Sequence, residues 1–205
     1  KKKSLKNNGN YRKKRNFKNT NEPAGKKKAA LRQLIFIVQK HDASHLHYDF
    51  RLELEGVLKS WAIPKGPSMT PKDKRLAMMV EDHPFDYKDF EGTIPKGNYG
   101  AGEVIVWDRG IYLPAEGGTD KSENEKLVKS ALRKGDLKFV LLGKKLKGEF
   151  ALVNMKKNDI TWLLIKKHDE YAADTDILKK NKSVISGKTI EMIQKANGRK
   201  KTKSK

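Results

Sequence analysis

Residues 47–54 alternate strictly between polar and apolar side chains. His47, Asp49, Arg51 and Glu53 fall on one side of an extended strand; Tyr48, Phe50, Leu52 and Leu54 fall on the other. Just upstream, residues 34–39 form a largely apolar run, which reads as a buried strand. Gly56 turns the alternating strand into another at 57–63. Residues 75–81 and 103–107 read as further strands, and 136–142, 148–156 and 161–167 as three successive antiparallel ones. Residues 85–102, rich in Gly, Pro and aromatics, read as a long loop, and 115–126 as a polar surface excursion. Helical spacing is confined to 125–134, ending at Gly135, and to a short stretch around 189–195. This pattern predicts an all-β fold: a small closed or nearly closed β-barrel of about eight strands, with one or two short helices and basic terminal arms.

Charge sharpens the boundaries. The chain has 205 residues, 46 Lys+Arg, 25 Asp+Glu and a formal net charge of +21. Residues 1–28 hold twelve cations and one acid, Glu22, for +11; residues 195–205 hold six cations and no acid, for +6. The body between them carries only +4. The expected organisation is a basic N-terminal arm, 1–30, partly ordered through Tyr11, Phe17 and Pro23; a barrel domain, 31–172; and a C-terminal extension with a basic tail, 173–205. Such arms attract polyanions, nucleic acid first, without reading bases. There is no cysteine, so no disulfide framework and no thiolate zinc site. No apolar stretch is long enough to span a membrane. A cytoplasmic protein, nucleoid-associated through DNA, is expected, and nothing demands more than a monomer.

The polar side of 47–53 carries the candidate chemistry. Three of the five histidines, His41, His45 and His47, lie within seven residues. Two imidazoles and the Asp49 carboxylate make a set for Mn²⁺, Zn²⁺ or Fe²⁺. Arg51, Lys65 and Arg75 are cations, which surround a metal only when an anion such as phosphate lies between. Glu81 and His83 close one strand and Tyr87 follows; His83 and Tyr87 could donate hydrogen bonds or a proton to a leaving oxygen. In a barrel these positions are expected to meet at one mouth or groove. The plain alternative is that the polar side of 47–53 is simply solvated. There is no phosphate-binding glycine loop with its Lys-Ser/Thr and no Gly-x-Ser-x-Gly elbow.

Five ordered blocks, 39–53, 60–68 (Ser-Trp-Ala-Ile-Pro-Lys-Gly-Pro-Ser), 77–84 (Ala-Met-Met-Val-Glu-Asp-His-Pro), 87–95 and 99–108, together resemble the 3′-phosphoesterase domain of bacterial DNA ligase D and its stand-alone relatives. The resemblance covers most of 11–170, and 183–191 looks like the segment that follows this domain. It implies a small β-barrel enzyme that needs a divalent metal, typically Mn²⁺, and acts on 3′ ends of DNA or DNA–RNA primers. Such an enzyme converts a 3′-phosphate to 3′-hydroxyl and removes a terminal 3′-ribonucleoside. It cleans ends before sealing, here with a DNA ligase and polymerase expected in trans. By the resemblance, His41, His47 and Asp49 are the metal ligands, and Arg51 and His83 hold the reacting phosphate. Tyr87, Lys65, Arg75 and Glu81 support them, and His45 has an indirect or structural role. Residues 11–23 resemble the family's N-terminal segment, with Arg15 and Glu22 kept. Asn16, however, stands where an acid is usual, which puts ribonucleoside removal in question.

Two other readings compete. His47 and Asp49 with His83 or His168 could form an Fe²⁺ triad of an oxygenase. Alternatively, the chain is a non-catalytic nucleic-acid-binding barrel that stacks bases on Trp61, Trp107 and Trp162.

Overall fold

The computed structural model describes residues 8–24, 33–156 and 158–201. Nine strands follow in order: β1 (Ile35–Asp42), β2 (Leu46–Leu54), β3 (Val57–Ile63), β4 (Lys74–Pro84), β5 (Gly92–Ile94), β6 (Gly102–Pro114), β7 (Asp136–Gly143), β8 (Lys147–Asn154) and β9 (Thr161–Lys166). Every pairing is antiparallel, in the order β1-β2-β3-β4-β9-β8-β7-β6-β5. A β1–β6 ladder closes eight of them into a barrel, and β5 hangs on β6. The expected all-β barrel is therefore what the chain forms. Among the described residues three α-helices accompany it, α1 (Asn8–Lys13), α2 (Lys121–Lys134) and α3 (Ile190–Lys201).

Alternation fills the interior. Phe36, Val38, Tyr48, Phe50, Leu52, Trp61, Ile63, Trp107, Phe139, Phe150 and Trp162 join one buried cluster. The β2–β3 hairpin turns on Glu55 (φ 50) and Gly56 (φ 76), the two left-handed positions that a two-residue turn needs. At that end sits α2. Asp120 caps its N-terminus by accepting from the Glu123 amide at 2.8 Å, and Gly135 ends it in the left-handed conformation. Its Val128 and Leu132 enter the interior cluster, so the helix plugs this end.

The polar side of β2 is not solvated. Asp49, Arg51 and Glu53 are 7%, 2% and 2% exposed. The physical reason is that the same outer face of the barrel carries Ile37, Leu58, Val104 and Val106. Tyr11 of the N-terminal arm and Tyr87, Phe90 and Ile94 pack onto these apolar residues as a second buried cluster. The segment read as a long loop, 85–102, supplies that cover with a 3₁₀ turn (Phe85–Asp89) and β5.

Several strands run past their apolar cores. β1 continues to Asp42, β4 to Pro84 and β6 to Pro114. Backbone ladders continue wherever a partner strand does, so polar ends such as His41 and His83 sit inside strands. A bulge orients His83. Ser60 pairs with Val80 and Leu58 with His83, so β4 spends one residue more than β3. That extra residue turns His83 onto the outer face, although Met79 packs inward.

The C-terminal extension wraps back over the barrel. Trp107 Nε1 donates to the Lys180 carbonyl at 2.7 Å, Val184 N to Val106 O at 2.9 Å, and Gln194 of α3 to Asp42 at 2.8 Å. Much of the arm, 1–7 and 25–30, and the tail beyond residue 201 lie outside the described residues. Among those described, no helix is long and apolar enough to cross a membrane.

Candidate active site

The β1–β2 pairing places His41 directly opposite His47, and Gln39 opposite Asp49. The two imidazole rings are 4.8 Å apart. His41 Nδ1 is 3.6 Å from Asp49 Oδ2, and His47 Nε2 is 3.7 Å from Asp49 Oδ1. One donor atom from each residue lies within 4.8 Å of the others. Among the described residues this is the one cluster of three or more such ligands. The other ring nitrogens are engaged: His41 Nε2 meets the Gly100 carbonyl at 2.8 Å and His47 Nδ1 the His45 carbonyl at 2.9 Å. Each carbonyl can only accept, so each of those nitrogens carries the proton. Nδ1 of His41 and Nε2 of His47 are left with lone pairs facing Asp49. Donors sharing one ion through bonds of about 2.1 Å sit about 3–3.5 Å apart, so the three side chains would draw together by up to about an ångström around a divalent cation. His45 contributes its carbonyl while its ring is exposed.

Arg51 is pinned on three sides. Nε donates to Gln39 Oε1 at 2.8 Å, Nη1 to Ser60 Oγ at 2.8 Å and Nη2 to Asp49 Oδ2 at 3.1 Å. The Tyr87 ring lies 5.0 Å from its Cζ. Gln39 Nε2 in turn donates to the Tyr87 and Phe90 carbonyls at 3.2 and 3.0 Å, which fastens the 3₁₀ turn to β1. Burial alone would lift the Asp49 carboxyl. The Arg51 guanidinium foremost outweighs it and holds Asp49 well below the usual carboxylate range.

His83 stands against the Tyr11 and Tyr87 rings, 4.9 Å from each. Burial, with Arg51 and Arg15 nearby, pushes its imidazole well below its ordinary value. Arg15 links the arm to this wall. Its Nε meets Glu22 Oε1 at 2.7 Å, its Nη1 Glu81 Oε1 at 3.2 Å and its Nη2 His83 Nε2 at 3.3 Å. Glu22 Oε1 also accepts from the Tyr87 hydroxyl at 3.0 Å, and burial with that carboxylate holds the phenol well above its ordinary value. Lys14 adds a 2.9 Å contact to Glu81 Oε2. Lys14 and, less strongly, Arg15 overcome the effect of burial and lower the Glu81 carboxyl.

The fold thus gathers His41, His47, Asp49, Arg51, Glu81, His83, Tyr87, Arg15 and Glu22 on the barrel's outer wall, beneath the arm, not at its mouth. Two expected cations lie elsewhere. Lys65 lines an open cavity of about 350 Å³ at the mouth, with Lys40, Tyr48, Asp176 and Lys179. Arg75 has the inward parity of Ala77 and Met79 and pairs with Asp73 at 2.8 Å. Asn16 is exposed, its Oδ1 accepting from Lys18 N at 3.2 Å in a local turn. His168 is exposed and, like His83, stands outside the ligand cluster, so neither completes a triad with His47 and Asp49. Trp61, Trp107 and Trp162 are buried and offer no stacking surface. Sequence reasoning missed Gln39, Ser60, Tyr11 and the Gly100 carbonyl. Gln39 had a signal, since it shares the strand parity of His41; the others act through contacts that only the closed barrel and docked arm create.

A family model described as the DNA Ligase D 3′-phosphoesterase domain matches residues 39–154, the stretch that carries His41, His47 and Asp49 as well as Arg51, Glu81, His83 and Tyr87. This chain belongs to that family. It is 50% identical over 188 residues to the multifunctional non-homologous end joining protein LigD of Pseudomonas aeruginosa, covering 88% of this chain and 21% of that protein. The LigD protein of Mycolicibacterium smegmatis is 41% identical over 136 residues, 66% of this chain and 17% of its own length. The LigD protein of Mycobacterium tuberculosis strain H37Rv is 39% identical over 154 residues, 75% of this chain and 19% of its own. The chain spans about a fifth of the length of these curated relatives. As a phosphoesterase-domain family member, the chain falls among the hydrolases.

Proposed function

We propose that the chain is a divalent-metal-dependent phosphoesterase that heals DNA 3′ ends in repair by end joining, converting a 3′-phosphate to a 3′-hydroxyl and removing a terminal 3′-ribonucleoside. The observation that carries this reading is the placement of Arg51 beside the His41–His47–Asp49 cluster, with Nη2 on the same Asp49 oxygen that His41 faces. A cation so close to a metal-ligand set suits a site whose missing component is an anion.

His41, His47 and Asp49 would hold Mn²⁺, with Zn²⁺ or another divalent ion as substitutes. Bound there, the ion supplies Lewis-acid charge stabilisation at a phosphate oxygen. Gly100 and His45 keep the two imidazoles oriented through their carbonyls. The bonds of Arg51 to Gln39, Ser60 and Asp49 use three of the five N–H groups of a guanidinium. Two remain for phosphate oxygens, on a group that is already immobile. His83 would meet the same phosphate through Nε2. In the resting protein burial, Arg51 and Arg15 keep it neutral, with Nε2 accepting from Arg15 Nη2 at 3.3 Å; a phosphate dianion would draw Arg15 off Nε2, oppose both cations and favour the protonated ring, which then donates to a phosphate or leaving oxygen. Tyr87 packs against Arg51 and His83 and holds both in place. Glu81 and Glu22 seat Arg15, and with it the arm, over the site. Lys65 lies one turn beyond β3, where it can meet the nucleic acid outside the reacting phosphate. The LigD relatives are end-joining proteins, which supports DNA ends as substrate; a DNA ligase and a polymerase acting in trans are the expected partners.

The test is a digest of two 5′-labelled primer–templates in Mn²⁺, one ending in a 3′-phosphate and one in a single 3′-ribonucleotide. Conversion of both is expected, with loss of both on chelation. Conversion of neither, with DNA binding retained, would overturn the reading.

A further inference from the structure

Tyr99 has no part in the assignments above, yet its ring stands at the rim of the site and is 51% exposed. Isolated exposed rings are ordinary on protein surfaces, so exposure alone carries nothing. Position does. The residue after it, Gly100, gives its carbonyl to His41. From the other side Lys14 Nζ lies 4.7 Å and Arg15 Cζ 5.5 Å from the ring centroid, and Arg15 reaches His83. The ring is thus bracketed between the metal-ligand side and the His83 side of one site. Its turn is fixed: Asn98 N bonds Pro95 O at 3.2 Å, Ala101 N bonds Asn98 O at 3.2 Å, and Asn98 Nδ2 meets Asn19 O of the arm at 3.4 Å.

A 3′-phosphate is separated from its own base by a single sugar. A phosphate held at Arg51 and His83 therefore brings that base to the rim. We propose that Tyr99 is the stacking platform for the base of the 3′-terminal nucleotide, with Lys14 and Arg15 set against the ring. This inference rests on the 3′-end reading of the site. Every base offers a π-face, so such a platform holds any terminal nucleotide without reading sequence, as an end-healing enzyme requires.

The experiment uses the full chain and its Tyr99→Ala and Tyr99→Phe variants. The probes are duplexes with a one-nucleotide 3′ overhang ending in 3′-phosphate, the last nucleotide either normal or abasic. Binding is read without metal by fluorescence anisotropy, and hydrolysis with Mn²⁺. The wild-type protein is expected to favour the base-bearing end by roughly 5- to 100-fold, mainly through Kd and KM. Tyr99→Ala erases that preference and Tyr99→Phe keeps it. A wild-type protein indifferent to the base would overturn the proposal. So would a Tyr99→Ala variant that keeps the preference or loses both ends equally. Absence of turnover overturns the phosphoesterase reading instead, and the metal-free binding preference still decides the role of Tyr99.

Discussion

Arg15 Nη2 lies 3.3 Å from His83 Nε2, and His83 Nδ1 lies 2.9 Å from the Glu81 carbonyl. A guanidinium only donates and a carbonyl only accepts, so the ring is neutral, protonated on Nδ1, with Nε2 as acceptor. Burial, then Arg51, then this arginine of the arm keep the histidine uncharged.

That contact sets a pH dependence. Burial and the two arginines depress the folded-state pKa of His83 below its ordinary 6.5. Between those two values the unfolded chain binds a proton that the folded chain refuses. The stability from this group is therefore complete above about pH 6.5 and is lost as the pH falls below it. In metal-free buffer, Tm of the wild-type protein should fall more steeply from pH 6.5 to 5 than Tm of His83→Gln. Parallel slopes would show that His83 does not titrate differently on folding.

The arm is held by an ion pair with almost no water access. Arg15 and Glu22 side chains are 4% and 0% exposed. Glu22→Ala leaves Arg15 buried with a lost partner and frees the Tyr87 hydroxyl. A loss of about 3 kcal/mol is expected, within the usual range for breaking a buried pair. The arm should then detach locally, so trypsin should cut after Arg15 far faster in the variant than in the wild type. Unchanged cleavage at Arg15 would mean that other contacts hold the arm.

The barrel was legible because alternation and turn residues are local signals: β2, β3 and the run from β7 to β9 are found close to where the spacing puts them. Of the His41–His47–Asp49 cluster, alternation put only His47 and Asp49 on one strand face; the apolar run that marks β1 ends at Gln39, so His41 was singled out from His45 by the family resemblance and not by spacing. The depth of the site was not legible. Nothing in 47–53 says that its polar side will be roofed, because the roof comes from Tyr11 and Tyr87, 40 or so residues away in either direction. The outward turn of His83 was equally hidden, since it depends on one unpaired residue in the β3–β4 ladder. Lys65 and Arg75 looked like site cations by type and neighbourhood. Barrel parity and the end of β3 send them to the mouth instead.

Burial changes how the ligand carboxylate must be probed. Arg51 is 2% exposed and Asp49 is its charge partner at 3.1 Å. Asp49→Ala removes a ligand and also strands a buried cation, a cost of about 3–5 kcal/mol. Asp49→Asn retains an acceptor for Arg51 and removes the ligand charge. It should keep most of the stability and lose the Mn²⁺-induced rise in Tm expected of the wild-type protein. An equal Mn²⁺ shift in wild type and Asp49→Asn would remove Asp49 from the metal site.

Gly102 tests whether the β1–β6 closure positions His41. Its φ is +146, and a Cβ there would lie 2.0 Å from the Asp42 carbonyl oxygen. Asp42 follows His41, and His41 pairs with Val104 two residues beyond Gly102. Backbone against backbone cannot yield by a rotamer change, so Gly102→Ala must displace the end of β1. We expect a loss of about 2–4 kcal/mol from strain and broken pairing. The ring of His41 should also move off the Gly100 carbonyl that fixes its tautomer, which weakens Mn²⁺ binding measured by calorimetry. Histidine NMR can follow the tautomer directly: the variant should show His41 exchanging between Nδ1–H and Nε2–H forms, where the wild type should show Nε2–H alone. If Tm falls while the tautomer and Mn²⁺ affinity stay as in the wild type, the strand end and the ligand are mechanically independent.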